Sequence, residues 1–187
     1  MRVVGREHIP EPDNDGFIVA SNHISYLDPP TVGSCFPYEI HYMAKRELFS
    51  FRPFGAVLRN VNAIPVRRGA VDRDSLKQCL AVLQRGGALI VFPEGTRSKT
   101  AAMLPPRPGI GLLAARARCA VLPTHVSGLN RYRSCLLGRV RPEVRFGPLM
   151  PAGWTDAFPR SGDGYRQAAE QIMDRIRRLR AETVGAD

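Results

Sequence analysis

Short apolar runs alternate along this chain with stretches in which apolar residues recur three and four positions apart. Six runs read as strands: 17–21 (FIVAS), 41–45 (HYMAK), 62–66 (NAIPV), 88–93 (ALIVFP), 120–127 (AVLPTHVS) and 140–146 (VRPEVRF). Several are continuously apolar rather than alternating, as strands buried on both faces are. Between the third and fourth runs lies DRDSLKQCLAVLQRGG, with Leu76, Leu80 and Leu83 at helical spacing and Gly86 as a stop. Residues 109–118 and 164–181 repeat the helical pattern, the last with Ile172, Ile176 and Leu179 as its buried stripe and arginines outside it. Strands alternating with helices predict a single layered α/β domain over 1–187, with a mostly parallel central sheet flanked by helices. The Gly- and Pro-rich stretch 147–164 reads as a loop ahead of a docked C-terminal helix.

Composition adds one departure from the ordinary. Apolar residues at 44% and charged residues at 24% suit a globular domain, but 27 Lys and Arg against 17 Asp and Glu leave a net charge of +10. Such a chain favours anionic partners. Nucleic acid fits poorly, because the arginines of 131–145 and 175–180 have no interleaved aromatic platform. Cys35, Cys79, Cys119 and Cys135 show no metal-like pairing and read as reduced thiols in or near the core. The N-terminal MRVVGREHIPEPDND lacks the apolar core of a secretion signal. No apolar run approaches the roughly 20 residues of a spanning helix. The expectation is a cytoplasmic protein without a transmembrane helix.

Two stretches carry candidate chemistry. ASNHISYLDPP (20–30) ends an apolar strand and sets His23 five residues before Asp28. On one helix the two would point about 140° apart, so they meet only if the chain between them loops. Asp28 before two prolines also reads as a helix N-cap. LIVFPEGTRS (89–98) is a strand that turns at once into Glu94, Gly95, Thr96, Arg97 and Ser98, a combination of hydroxyls, guanidinium and permissive backbone that suits a phosphate. It is not a nucleotide P-loop, since Ser98 stands where the second glycine of that pattern belongs. His8, His41 and His125 have no such context and read as structural.

Together, NHISYLD and, about 70 residues later, FPEGTRS resemble the 1-acylglycerol-3-phosphate acyltransferase family of glycerolipid and lysophospholipid acyltransferases. NAIPVRRG (62–69) is similar to that family's arginine-bearing second motif, with Arg68 as the matching arginine, and VLPTHVSG (121–128) to its fourth, with Pro123. GREHIP (5–10) and MAKREL (43–48) are further landmarks, so the resemblance covers roughly residues 3 to 150. Asn62 and Arg67 in the second motif, and AAMLPPRPG after FPEGTRS, depart from the pattern.

The resemblance implies a glycerolipid acyltransferase-like fold and transfer of an acyl group from a thioester, acyl-CoA or acyl carrier protein, to the free hydroxyl of lysophosphatidic acid. Another lysophospholipid, glycerol 3-phosphate or a lyso-aminolipid would be an alternative acceptor. No cofactor beyond the donor is implied, and no metal. His23 would act as general base by direct attack, oriented by Asp28, since no G-x-S-x-G is present and no cysteine adjoins a histidine. Arg68, Glu94, Gly95, Thr96 and Arg97 would form the acceptor site, with Arg68 and Arg97 on its phosphate and Glu94 holding the turn or touching the glycerol backbone, and backbone N–H groups near Gly95 or His23 would serve the oxyanion. Work on lipid implies peripheral attachment to the anionic inner face of the membrane. The segment 47–59 (ELFSFRPFGAVLR) would then be an interfacial or acyl-chain wall through Phe49, Phe51 and Phe54, or else a core-packed helix pair broken at Pro53.

Overall fold

The computed structural model describes the chain except residues 12–14, 68–71, 99, 101, 132–133, 136–137, 139 and 185–187, and only the backbone of Phe54, Arg131, Thr183 and Val184. Seven strands form one sheet: β1 (Arg2–Val4), β2 (Phe17–Ser21), β3 (Ile40–Lys45), β4 (Ala63–Val66), β5 (Ala88–Val91), β6 (Ala120–Ser127) and β7 (Glu143–Phe146), in the order β1-β7-β6-β2-β5-β3-β4. The five strands from β6 to β4 are mutually parallel. β7 runs antiparallel to β6, and β1 follows β7. The mostly parallel layered sheet read from the sequence is therefore present, with an antiparallel flank.

Every residue of β2 and β5 is buried, which is why both read as unbroken apolar runs. β2 divides its side chains between two cores. Ile18 and Ala20 join Leu89, Val91 and Val121 under the helices α3 (Arg73–Gln84), α4 (Gly109–Ala117) and α5 (Gly162–Val184). Phe17 and Val19 join Ile90, Leu122 and Val126 on the opposite face, against Val32, Cys35 and Phe36 from α1 (Asp28–Gly33) and the turn after it. Cys35, Cys79 and Cys119 are buried free thiols and Cys135 is partly buried.

Four elements differ from the sequence reading. β1 is too short to show a period. β7 begins at Glu143 rather than at 140, because Pro142 has no N–H for the ladder. Loop 147–164 also contains a 3₁₀ turn at Trp154–Ala157 and a bridge from Met150 to Val121. Finally, Pro53 does not break a helix pair. It opens α2 (Arg52–Asn60), where its fixed φ and missing N–H cost nothing. None of the helices is long and apolar enough to cross a membrane, among the described residues.

Candidate active site

β2 and β5 are parallel neighbours in register from Phe17↔Ala88 to Ala20↔Val91, so the residues that follow each leave the sheet at the same edge. That edge, beyond the carboxyl ends of the strands, is where α/β sheets place ligands. Asn22 continues β2 by exchanging two hydrogen bonds with β6. Its Nδ2 donates to the Val126 carbonyl at 2.9 Å, and the Val126 N–H donates to its Oδ1 at 2.7 Å. A side-chain amide thus replaces one rung of the ladder and fixes where His23 begins.

His23 is tied on every side. Its backbone N–H donates to Glu94 Oε1 at 3.0 Å, and its carbonyl accepts the Ser98 N–H at 2.8 Å. Its ring stacks on Phe92 with centroids 4.0 Å apart and planes 19° from parallel. Glu94 Oε2 accepts the Leu104 N–H at 3.0 Å, so both carboxylate oxygens hold backbone rather than reaching for a ligand. Glu94 is 2% exposed, and burial pushes its carboxyl above the usual range, an effect partly offset by the N–H groups of His23 and Leu104. Three residues of the 92–98 turn, Phe92, Glu94 and Ser98, therefore lock the loop carrying His23.

His23 and Asp28 meet because the chain between them loops. His23 Nδ1 lies 2.8 Å from Asp28 Oδ2, and the same oxygen accepts the N–H groups of Ile24 at 2.6 Å and Ser25 at 2.7 Å. The N-cap reading of Asp28 is corrected here: the N-cap of α1 is Leu27, Asp28 is its first residue, and the carboxylate folds back onto the preceding loop instead of capping. Because Oδ2 already accepts from two N–H groups, Nδ1 donates the third bond. The imidazole proton then sits on Nδ1, and Nε2 keeps its lone pair.

Gly95 adopts φ +66, which favours glycine, and a Cβ there would stand 2.7 Å from Arg107 Cδ and push that side chain aside. Thr96 and Arg97 follow, both half-buried. The Arg97 guanidinium carbon lies 3.4 Å from the ring centroid of Tyr26. Arg68 lies outside the described residues. Its neighbour Arg67 is exposed, and its N–H donates to Asp72 Oδ2 at 3.0 Å. The backbone donors considered for an oxyanion are corrected in part: the His23 N–H is used by Glu94 and the Gly95 N–H by the Phe92 carbonyl. Among the described residues, the N–H groups of Thr96 and Arg97 have no such partner.

Reading the sequence missed the supports: Asn22, Phe92, Tyr26 and Leu104. Asn22 and Tyr26 stood in the quoted stretch, yet nothing local says which strand or which cation they touch. His125 stays apart from this cluster. Burial, then Arg180 and Arg145, lower its pKa to about 4.

The acyltransferase family model matches residues 1–127. The chain belongs to the acyltransferase family. Among similar proteins, the 1-acyl-sn-glycerol-3-phosphate acyltransferase of Bacillus subtilis is 33% identical over 129 residues, which are 68% of this chain and 63% of that protein. The enzyme of the same name from Helicobacter pylori is 30% identical over 176 residues, 91% of this chain and 72% of that one. The crystal structure of the 1-acyl-sn-glycerophosphate (LPA) acyltransferase PlsC from Thermotoga maritima superposes with a TM-score of 0.71 at 24% identity, over 97% of this chain and 71% of that one. The chain therefore shares the fold of that structure, and it spans just under two thirds of the Bacillus relative's length.

Proposed function

We propose that this protein transfers an acyl group from a thioester to the free hydroxyl of lysophosphatidic acid, giving phosphatidic acid. The observation that carries the reading is the 2.8 Å contact between His23 Nδ1 and Asp28, which leaves Nε2 as an acceptor beside an arginine-bearing turn. Relatives from bacteria to plants carry the name 1-acyl-sn-glycerol-3-phosphate acyltransferase, which supports this acceptor.

Nε2 of His23 takes the proton of the acceptor hydroxyl as its oxygen forms a bond to the thioester carbonyl carbon. Asp28 holds the resulting imidazolium. The unpaired N–H groups of Thr96 and Arg97 are the donors left for the tetrahedral oxyanion. Collapse breaks the C–S bond, and the departing thiolate recovers the proton from His23. Arg97, with Arg68 of the neighbouring motif, binds the acceptor's phosphate, and Glu94 keeps the loops in place. The donor is acyl-CoA or acyl carrier protein, and the protein works at the surface of an anionic bilayer.

The test is transfer from radiolabelled palmitoyl-CoA, and then from palmitoyl-acyl carrier protein, to lysophosphatidic acid, lysophosphatidylcholine and glycerol 3-phosphate in parallel. Labelled phosphatidic acid from the wild type and not from His23→Ala is the expected result. Product on lysophosphatidylcholine alone would reassign the acceptor, and an equally active His23→Ala would remove the base. Arg97→Ala should raise the acceptor KM by about 10- to 150-fold, the range for one charge-assisted contact.

A further inference from the structure

The segment joining β3 to β4 turns apolar side chains outward. Leu48 is 38% exposed, Phe51 68%, Val57 53% and Val61 45%. Along α2 successive residues rotate by about 100°, so Pro53, Val57 and the C-cap Val61, spaced four apart, make one stripe on the side away from buried Gly55. A helix serving only its own domain turns such a stripe inward. Arg52 and Arg59 stand together on one side of the stripe, about 100–120° round the helix from Pro53, α2 contains no acidic residue, and neither arginine has an ion pair among the described residues. β3 is parallel to β5, so the 3₁₀ turn Arg46–Phe49 and Phe51 leave the sheet at the edge that carries His23.

We propose that Leu48, Phe51 and the outer stripe of α2 form the surface that docks this protein on an anionic bilayer, with Arg52 and Arg59 on lipid phosphates. The proposal rests on the reading of a lipid acceptor and names the face by which that acceptor arrives. An exposed apolar stripe with a basic edge beside it is the pattern of a helix lying in a membrane interface. A second copy of the chain fits poorly, because it would bring the same arginines of a +10 molecule face to face. With the surface docked, a lysolipid reaches the site edge from the bilayer instead of through water.

The experiment is co-sedimentation with vesicles of phosphatidylcholine mixed with phosphatidylglycerol, and with vesicles of phosphatidylcholine alone. Phe51→Ser combined with Val57→Ser should weaken binding about tenfold or more, the effect of losing two inserted apolar side chains. Arg52→Gln with Arg59→Gln should abolish the preference for the anionic vesicles. Both variants should keep wild-type turnover on a short-chain, monomeric acceptor. Unchanged vesicle binding in both overturns the proposal, as does a concentration-dependent wild-type dimer that the apolar variant loses. Because sedimentation does not need turnover, failure of the proposed reaction and failure of this surface are read separately.

At the site itself, the contact between Arg97 and Tyr26 carries an independent inference. With the guanidinium carbon 3.4 Å from the ring centroid, only a nearly flat guanidinium fits, since an edge-on one would drive a nitrogen into the ring. The face of the cation is occupied and its N–H donors, all in its plane, stay available. A carboxylate partner would instead consume those donors. Tyr26 is 72% exposed, and no ion pair engages Arg97 among the described residues. The geometry points to Tyr26 as a positioning residue that holds Arg97 ready for the acceptor's phosphate.

Tyr26→Ala should raise the acceptor KM by about 2- to 30-fold, the span of cation–π strengths, with kcat little changed. Tyr26→Phe, which keeps the ring face, should restore the wild-type KM. Since Tyr26 acts through Arg97, Tyr26→Ala should add nothing to Arg97→Ala in the double variant. Additive losses, or a Tyr26→Phe as impaired as Tyr26→Ala, would overturn this role. Unchanged acceptor KM in Arg97→Ala would overturn it together with the phosphate clamp.

Discussion

The chain leaves the sheet at one edge after β2 and again after β3, and builds two opposite things there. After β2, Asn22, His23 and Asp28 are 3%, 8% and 0% exposed, and Val126, Glu94, Ser98, Ile24 and Ser25 meet most of their polar atoms, Asp28 Oδ1 being buried without a hydrogen-bond partner among the described residues. After β3, Leu48, Phe51, Val57 and Val61 turn a third to two thirds of their surface to water. The first arrangement fixes one nitrogen lone pair at the end of a rigid strand. Breaking any one of these bonds and leaving its buried partner unpaired would cost about 1–3 kcal/mol. The second has no partner geometry to satisfy and suits a fluid surface. Precision and adaptability are placed side by side, on neighbouring loops of one sheet edge.

Substitutions can break this contrast. The largest effect belongs to His23→Ala, which should lower kcat by about 10²–10⁴, the usual worth of a general base, while acceptor binding measured by calorimetry persists. Next is Glu94→Ala. It strips partners from the His23 and Leu104 N–H groups, and about 1–3 kcal/mol for each unpaired donor should appear in urea unfolding, along with lost turnover. On the other loop, Phe51→Ser with Val57→Ser should move unfolding free energy by no more than about 0.5 kcal/mol for each substitution, as exposed positions do. A large destabilisation there would mean that the stripe is part of the core after all.

Acid should sharpen the contrast. His125 lies between Thr124 and Val126 on β6, whose Val126 backbone holds Asn22. Burial and the nearby Arg180 and Arg145 take its pKa from 6.5 to about 4. The unfolded chain therefore binds a proton between those values that the folded chain refuses. Stability contributed by neutral His125 is complete above pH 6.5 and is lost as pH falls toward about 4, by at most about 3 kcal/mol. Thermal unfolding of the wild type should drop through that window, and His125→Phe should flatten the drop. An identical pH profile in the two proteins would show that other groups govern it.

How much was legible in the sequence differs by element. Strands β2, β5 and β6 were read nearly to the residue because burial on both faces forces unbroken apolar runs such as ALIV and AVLPTHVS. β1 was not, since three residues carry no period, and the segment of α2 stayed open between two readings because a proline can end one helix or begin the next. In the site, His23, Asp28, Glu94, Gly95 and Arg97 stood out by type and spacing. The use of each did not. Asp28 also read as a cap, and Glu94 either as holding the turn, which it does, or as touching the glycerol backbone.

By itself the sequence determined the layered α/β class, the two loops that carry chemistry, and the excess of positive charge, because each is written in local composition and period. Tertiary structure decided that β2 and β5 are neighbours, that Glu94 reaches across 71 residues to the His23 N–H, and that Tyr26 meets Arg97. It also decided that the apolar stripe of α2 faces out. These are pairings between distant segments, and which of two compatible partners a polar group or an apolar face meets is set by the packing of the whole sheet.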